Sequence, residues 1–223
     1  MEGSPRRGET GLKKGILVTF EGIEGSGKTT QAERAHKALE LEGYRCVLTR
    51  EPGGTPVSEK IRSILLDRAN MEMTAVCELF LYLACRSQNV SEIIRPALDG
   101  GSIVIADRFS DSTRAYQGGG RGLDVEMIAK LNALATDGLK PDLTILVDLD
   151  PAKGLSRSKT KDRIENEDID FHGRVRSEFL TICKEEPNRV IALDGDDAVE
   201  SIHHEVMALI HRHVEQHAKS HGG

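Results

Sequence analysis

Gly22, Ile23, Glu24, Gly25, Ser26, Gly27, Lys28 and Thr29 fit the pattern Gly-x-x-x-x-Gly-Lys-[Ser/Thr] within the segment TFEGIEGSGKTTQ (19–31). Three glycines beside a lysine and three threonines make a poor core and a poor helix. They make a good cradle for phosphate. Glycine lets the chain curl until successive N–H groups point inward at the start of a helix, where an anion is stabilised. Lys28 adds a point charge aimed at the β- and γ-phosphates of a nucleotide, and the Thr29 hydroxyl is suited to complete the oxygen shell of a magnesium ion. The match follows an apolar run, GILVTFE (15–21), and precedes a helical pattern, the context that separates a phosphate loop from a chance glycine turn.

A phosphate loop alone does not distinguish a switch, a motor and a kinase; the remaining cations do. The chain has no Asn-Lys-x-Asp base-reading motif of the Ras type, and it lacks the larger frame of a motor ATPase. Arg50, Arg86 and Arg108, with Arg157, Lys159, Lys161 and Arg163, instead occupy several separate segments. Moving a phosphoryl group between two anions requires charge at the donor, at the acceptor and between them, so this distribution points to a small-molecule kinase. Asp107 and Asp148 both end apolar runs and either could hold magnesium. The arginine beside Asp107 favours it, whereas DLDPA (148–152) reads as a strand end, an Asp150 cap and Pro151 at the first helical position. Tyr82 and Arg86 are four residues apart in a helical pattern and share a face, as a substrate wall would need.

These residues must be held by a frame. Apolar, β-branched runs recur at 15–21, 44–51, 102–107, 143–150 and 189–195, continuous rather than alternating, which marks strands buried on both faces of a parallel sheet. Helical patterns lie between them at about 28–42, 56–67, 72–98, 123–137, 169–186 and 197–215, giving an α/β fold. Phe171 and Phe179 are expected in the core. Two segments depart from the pattern: DRFSDSTRAYQGGGRG (107–122) reads as a ligand-meeting loop with a flexible glycine turn, and SRSKTKDRIENED (156–168) as a mobile lid. In an open α/β sheet, such loops line the crevice at the carboxyl ends of the strands.

The 223 residues suit one domain, expected over 15–217, with a basic leader at 1–14 and a tail at 218–223. A net charge of −6 argues against a general nucleic-acid or membrane binder. No run approaches a membrane span or a signal peptide. The four cysteines show neither zinc nor disulfide spacing, which fits a reducing cytoplasm. The histidines near the end read as a solvated helix face rather than a metal site.

FEGIEGSGKTTQ (20–31), TREPGGTP (49–56), LFLYLACRSQ (79–88), DRFSDSTRAYQGGGRG (107–122) and DRIENEDIDFHGRVRSEFL (162–180) together resemble the thymidylate kinases of the bacterial type, in the family's order. The resemblance implies a homodimeric P-loop nucleoside-monophosphate-kinase fold, a five-stranded parallel sheet flanked by helices with a short lid. It also implies that ATP and dTMP give ADP and dTDP with magnesium. By similarity, Glu24 meets the deoxyribose 3′-hydroxyl, Arg50 the acceptor phosphate and Pro52 the thymine methyl. Tyr82 stacks on the base, Arg86 donates to thymine O4, and Ser112 and Thr113 face the base. Tyr116 closes the space of a 2′-hydroxyl, Asp107 organises magnesium and Arg108 bridges the two phosphates. Where some members carry a phosphate-loop arginine, this chain has Gly25, and Arg157 and Arg163 of the lid are the expected substitutes. The competing readings are a kinase for another nucleotide or nucleoside, such as dUMP, and a P-loop module without turnover; intact Lys28, Asp107 and Arg108 oppose the latter.

Overall fold

A computed structural model describes residues 12–157 and 162–221. Most of the basic leader (1–11), the lid residues 158–161 with Lys159 and Lys161, and the last two residues of the tail lie outside this range. Five strands, β1 (Ile16–Glu21), β2 (Cys46–Arg50), β3 (Ile103–Asp107), β4 (Leu143–Asp148) and β5 (Val190–Asp194), form one parallel sheet in the order β2-β3-β1-β4-β5. Every residue of the central strand β1 is buried, which is why its sequence is apolar without alternation.

On one face, Ile16, Val18 and Phe20 pack with Ala32, Ala35 and Leu39 of α1 (Lys28–Leu41) and with Ile202, Val206 and Ile210 of α9 (Val199–His221). On the other, Leu17, Val104 and Ala106 meet Val90, Ile94 and Leu98, while Leu146 meets Phe171, Val175 and Phe179 of α8 (Ile169–Glu185). Phe171 and Phe179 are core residues, as their spacing predicts. The register sets Asp107 beside Phe20 of β1 and Arg50 of β2. The chain therefore leaves β1, β2 and β3 at the same, carboxyl end of the sheet, and the strand order changes direction around β1. That is where ligands bind in open α/β sheets.

α2 (Pro56–Leu66) begins with Thr55 accepting from Ser58 N and Pro56 at its first position. The pattern over 72–98 is not one regular helix. α3 (Ala75–Asn89) passes through a widened turn at Val90–Ile94 into α4 (Arg95–Asp99). Pro96 accounts for the widening, since it has no N–H to give and its ring crowds the preceding turn.

The segment 107–122, expected as a loop, is helical: α5 (Ser110–Thr113) runs into a wide-turn stretch at Arg114–Gly120, followed by α6 (Val125–Thr136). Gly119 and Gly120 are packed, not free. A Cβ at Gly119 would lie 2.7 Å from the Glu178 side chain, and one at Gly120 would lie 2.6 Å from Phe171, so their absence lets α8 close on the segment. α7 (Pro151–Arg157) starts at an Asp150 cap, whose Oδ1 accepts from Ala152 N and Lys153 N at 3.0 and 3.3 Å.

Candidate active site

The turn from β1 to α1 carries the phosphate-loop pattern, with Gly27 in a left-handed conformation at the start of α1. Gly25 also has positive φ, +71°, and a Cβ there would stand 2.1 Å from the carbonyl oxygen of Gly154 on α7. This contact excludes any side chain, so the arginine that some similar proteins carry has no room here. Lys28 is buried and its Nζ donates to Ile23 O at 3.2 Å. Burial, then the charge on Arg108, pull its ammonium down to about 8. An anion in the cradle would restore it.

At the end of β3, Asp107 Oδ2 accepts from Thr29 Oγ1 at 2.6 Å, while Asp107 Oδ1 is buried without a partner. One carboxylate and one hydroxyl, with an oxygen to spare beside a phosphate cradle, form a hard-oxygen donor set of the kind magnesium takes together with phosphate and water. Asp148, the other candidate, is occupied. Both of its oxygens accept from Arg176, at 2.7 and 2.8 Å.

The next residue, Arg108, has φ of +71°, unusual for a side-chain-bearing residue and typical of strain held at a functional site. Several bonds hold it there. Its backbone N–H donates to Phe20 O (2.9 Å), Nη1 donates to Gly22 O (2.9 Å) and Ser112 Oγ (3.1 Å), and Nη2 donates to Glu24 Oε1 (2.8 Å). Its guanidinium lies 5.0 Å over the Tyr116 ring, and the Tyr116 hydroxyl donates to the same Glu24 oxygen at 2.7 Å. Burial alone would push the Glu24 carboxyl up. Arg108, the His172 ring 3.4 Å from Oε2, the charge of Lys28 and the Tyr116 hydroxyl outweigh it and hold the group well below the usual carboxylate range.

Arg86 on α3 is 1% exposed. Its Nε donates to Glu51 Oε2 (2.8 Å), Nη1 to Thr113 Oγ1 and Asn132 Oδ1 (both 2.6 Å) and Nη2 to Phe109 O (2.8 Å), with Nη2 also 2.7 Å from Glu51 Oε2. Each nitrogen thus already faces an acceptor. Glu21, at the end of β1, braces the neighbouring turn by accepting from Phe109 N (2.8 Å), Ser112 N (3.2 Å) and Ser112 Oγ (2.5 Å). Burial, then the nearby Asp111, push its carboxyl up to about 7.

A cleft of about 330 Å³ brings Glu24, Gly25, Lys28, Thr29, Arg50, Pro52, Tyr82, Arg86, Asp107, Arg108, Ser112, Thr113 and Tyr116 to one wall or another. Arg50 is more than half exposed and donates to both oxygens of Glu59 at 3.1 Å. Gly22, Ile23, Ser26 and Gly27 complete the loop but do not line the cleft.

The two lid arginines are not in it. Arg163 is 1% exposed, and its Nε donates to Leu65 O (2.8 Å) while Nη2 stands 2.6 Å from Glu78 Oε2, itself buried on α3. Turning Arg163 outward would break a buried ion pair and the bond to Leu65 O, although Glu78 would keep Arg121 (3.0 Å) and Gln117 (2.9 Å). Its expected place over the transferred phosphoryl is therefore corrected to a structural one. Arg157 reaches Gly195 O (3.2 Å) and Asp196 Oδ1 (3.3 Å) instead.

Arg62, Glu51, Gln117, Asp162 and Glu165 also line the cleft and were not singled out from sequence. Glu51 and Gln117 lie inside the quoted motifs, and each adjoins an assigned residue. Arg62 carried no signal, because one cation on an amphipathic helix reads as its solvated face.

Fold and cleft together define a P-loop phosphotransferase: a phosphate cradle and a hard-oxygen donor pair share one cleft with four arginines and two tyrosine rings. The thymidylate kinase family model matches residues 20–206. A thymidylate kinase of Geobacter sulfurreducens is 50% identical over 196 residues, covering 84% of this chain and 92% of that protein. Another, of Pelobacter propionicus, is 48% identical over 205 residues, covering 88% and 94%. The crystal structure of thymidylate kinase from Ehrlichia chaffeensis superposes with a TM-score of 0.73 at 36% identity, over 89% of this chain and 99% of that one. The chain belongs to the thymidylate kinase family, and it is a kinase.

Proposed function

We propose that this protein transfers the γ-phosphoryl group of ATP to dTMP, giving ADP and dTDP. The observation that carries the reading is the single cleft in which Lys28 and Thr29 of the cradle share space with Arg50, Arg86, Arg108, Tyr82 and Tyr116. The loop amides and Lys28 bind the donor phosphates; Arg50 and Arg108 bring the acceptor phosphate into line. Their planar forks suit that task. Magnesium, held by Thr29 and Asp107, would neutralise charge on the phosphate oxygens. The acceptor phosphate is already an anion, so no general base is required.

On the acceptor side, Glu24 meets the sugar 3′-hydroxyl, Tyr82 stacks on the base and Pro52 walls the methyl group. Ser112 and Thr113 face the base edge, and Tyr116 fills the place of a 2′-hydroxyl. Arg86 reads thymine by sharing N–H groups it now gives to protein acceptors. Of the described cations at 156–168, Arg157 is the one free to serve the donor, since a half-exposed pair with Asp196 is cheap to release.

The enzyme acts as a homodimer in this reading. α3 packs between α2 and α6, and these three helices leave apolar side chains in solvent: Val57 and Ile64, Val76 and Phe80 (55% exposed), and Met127 and Leu134 (80% exposed). An exposed set of that kind needs a cover. A cytoplasmic setting is in keeping with cysteines that are all free thiols; among the described residues no helix is long and apolar enough to cross a membrane.

The test is ADP release with Mg-ATP and, in turn, dTMP, dUMP, dCMP and thymidine. dTMP should give the highest kcat/KM. Preference for thymidine would remove the acceptor-phosphate role of Arg50 and Arg108, and preference for dUMP would remove the methyl wall at Pro52.

A further inference from the structure

His172 lies in the first turns of α8, just beyond the segment that reads as a lid. Its ring is 1% exposed and set edge-on to Phe171, with centroids 5.3 Å apart. Neither ring nitrogen has a hydrogen-bond partner. A buried polar ring left in that state costs stability, and an aliphatic side chain could fill the same space without the cost. What the imidazole offers and an aliphatic does not is Nδ1, 3.4 Å from Glu24 Oε2.

The two oxygens of Glu24 are used unequally. Oε1 takes both Arg108 Nη2 and the Tyr116 hydroxyl, whereas Oε2 is buried and without a hydrogen-bond partner. A carboxylate gripped at one oxygen pivots about that grip. A donor facing the second oxygen stops the pivot and fixes where the lone pairs point. At 3.4 Å the contact is longer than a settled N–H···O bond of about 2.7–3.2 Å, so a small shift of Oε2 toward the ring would tighten it.

We infer that His172 is a positioning residue: its Nδ1–H sets the Glu24 carboxylate so that it meets the sugar 3′-hydroxyl of the acceptor nucleotide in one orientation. The inference rests on the reading of Glu24 given above. It gives a residue of α8 a part in recognising that hydroxyl by way of Glu24 in the phosphate loop, 148 positions earlier in sequence.

The experiment compares dTMP with the same nucleotide lacking its 3′-hydroxyl, 3′-deoxythymidine monophosphate, for the wild type, H172L, H172N and E24Q. H172L should lower kcat/KM for dTMP about tenfold, the size of one lost hydrogen bond to a charged group. The loss should sit in KM for dTMP, with KM for ATP unchanged and kcat/KM for the 3′-deoxy acceptor nearly so. H172N, whose amide N–H can stand near the place of Nδ1, should recover most of the loss. An equal loss with both acceptors in H172L would overturn the inference.

E24Q separates the two readings. If it loses its preference for the hydroxyl-bearing acceptor while H172L keeps it, only the His172 role falls. If E24Q keeps that preference, the Glu24 reading falls and takes His172 with it. Should H172L fail to fold, 15N spectra of the wild-type ring decide the matter. Nδ1 should carry the proton and shift on addition of dTMP but not of the 3′-deoxy analogue; a ring that ignores both, or answers both alike, overturns the inference.

Discussion

The donor half of the site is built on one short turn, Gly22–Thr29, from which Gly25, Lys28 and Thr29 line the cleft and Glu24 reaches across to the acceptor side, whereas the acceptor half is otherwise collected from β2, α3, β3, α5 and the wide-turn stretch that follows. The donor half works through backbone amides and one lysine. The acceptor half works through side chains that are already ion-paired: Arg86 with Glu51, and Arg108 with Glu24. The first holds its shape because of glycine conformations and the close approach of Gly154 to Gly25; the second because buried charges satisfy one another. A lesion in the donor half should therefore cost rate, and one in the acceptor half should cost stability as well.

The largest test of this contrast is K28A. Removal of a charge aimed at the transferring group should lower kcat about 1000-fold, equivalent to about 4 kcal/mol. Calorimetric affinity for dTMP should stay within about twofold, since Lys28 acts on the other nucleotide. A variant that lost dTMP binding as steeply as turnover would break the division between the halves.

On the acceptor side, R86M should destabilise the protein by about 3 kcal/mol in urea unfolding, because Glu51 would be left buried and unpaired. R86M combined with E51Q should regain part of that loss. Wild-type stability in R86M would show that the buried pair is not what holds this wall.

Glu21 joins the two halves, and its charge state sharpens the comparison. Its folded pKa, about 7, lies above the ordinary carboxylate value of 4.5. Between those values the native state holds a proton that the unfolded state has released. Stability from this group is therefore complete below about 4.5 and is lost as pH rises through about 7. E21Q cannot ionise, so on going from pH 4.5 to pH 8 its stability relative to wild type should improve by about 3 kcal/mol, read from urea midpoints at each pH.

The smallest effect is expected from R157A, which gives up a half-exposed pair with Asp196 and a bond to Gly195 O. Stability should change by less than about 1 kcal/mol, while kcat should fall about tenfold if this arginine serves the donor phosphates. Among the described residues, an unchanged kcat would leave the donor half to the cradle and Lys28.

β1, β3 and β4 were legible because two-sided burial writes itself as unbroken apolar runs; β2 and β5 carry similar runs but lie at the sheet edges and are only partly buried, against the expectation of two covered faces. The α2 and α7 starts were legible because their caps are local. The helical form of 107–122 was not. Glycine and polar residues read as loop by propensity, yet Gly119 and Gly120 are there so that α8 can press against the segment. Arg163 misled for a related reason: in sequence it stands in a charged run, and in space its partner Glu78 lies on α3, eighty-five positions earlier. The unpartnered ring of His172 beside Glu24 carried no sequence signal at all.

By itself the sequence determined the sheet and the phosphate cradle, since both depend on the order of neighbouring residues: runs of apolar side chains, and glycines that let successive amides converge. Tertiary structure alone decided which charges face the cleft and which are spent inside the protein. A guanidinium goes wherever its carboxylate is, and that partner is fixed by packing between helices far apart in the chain.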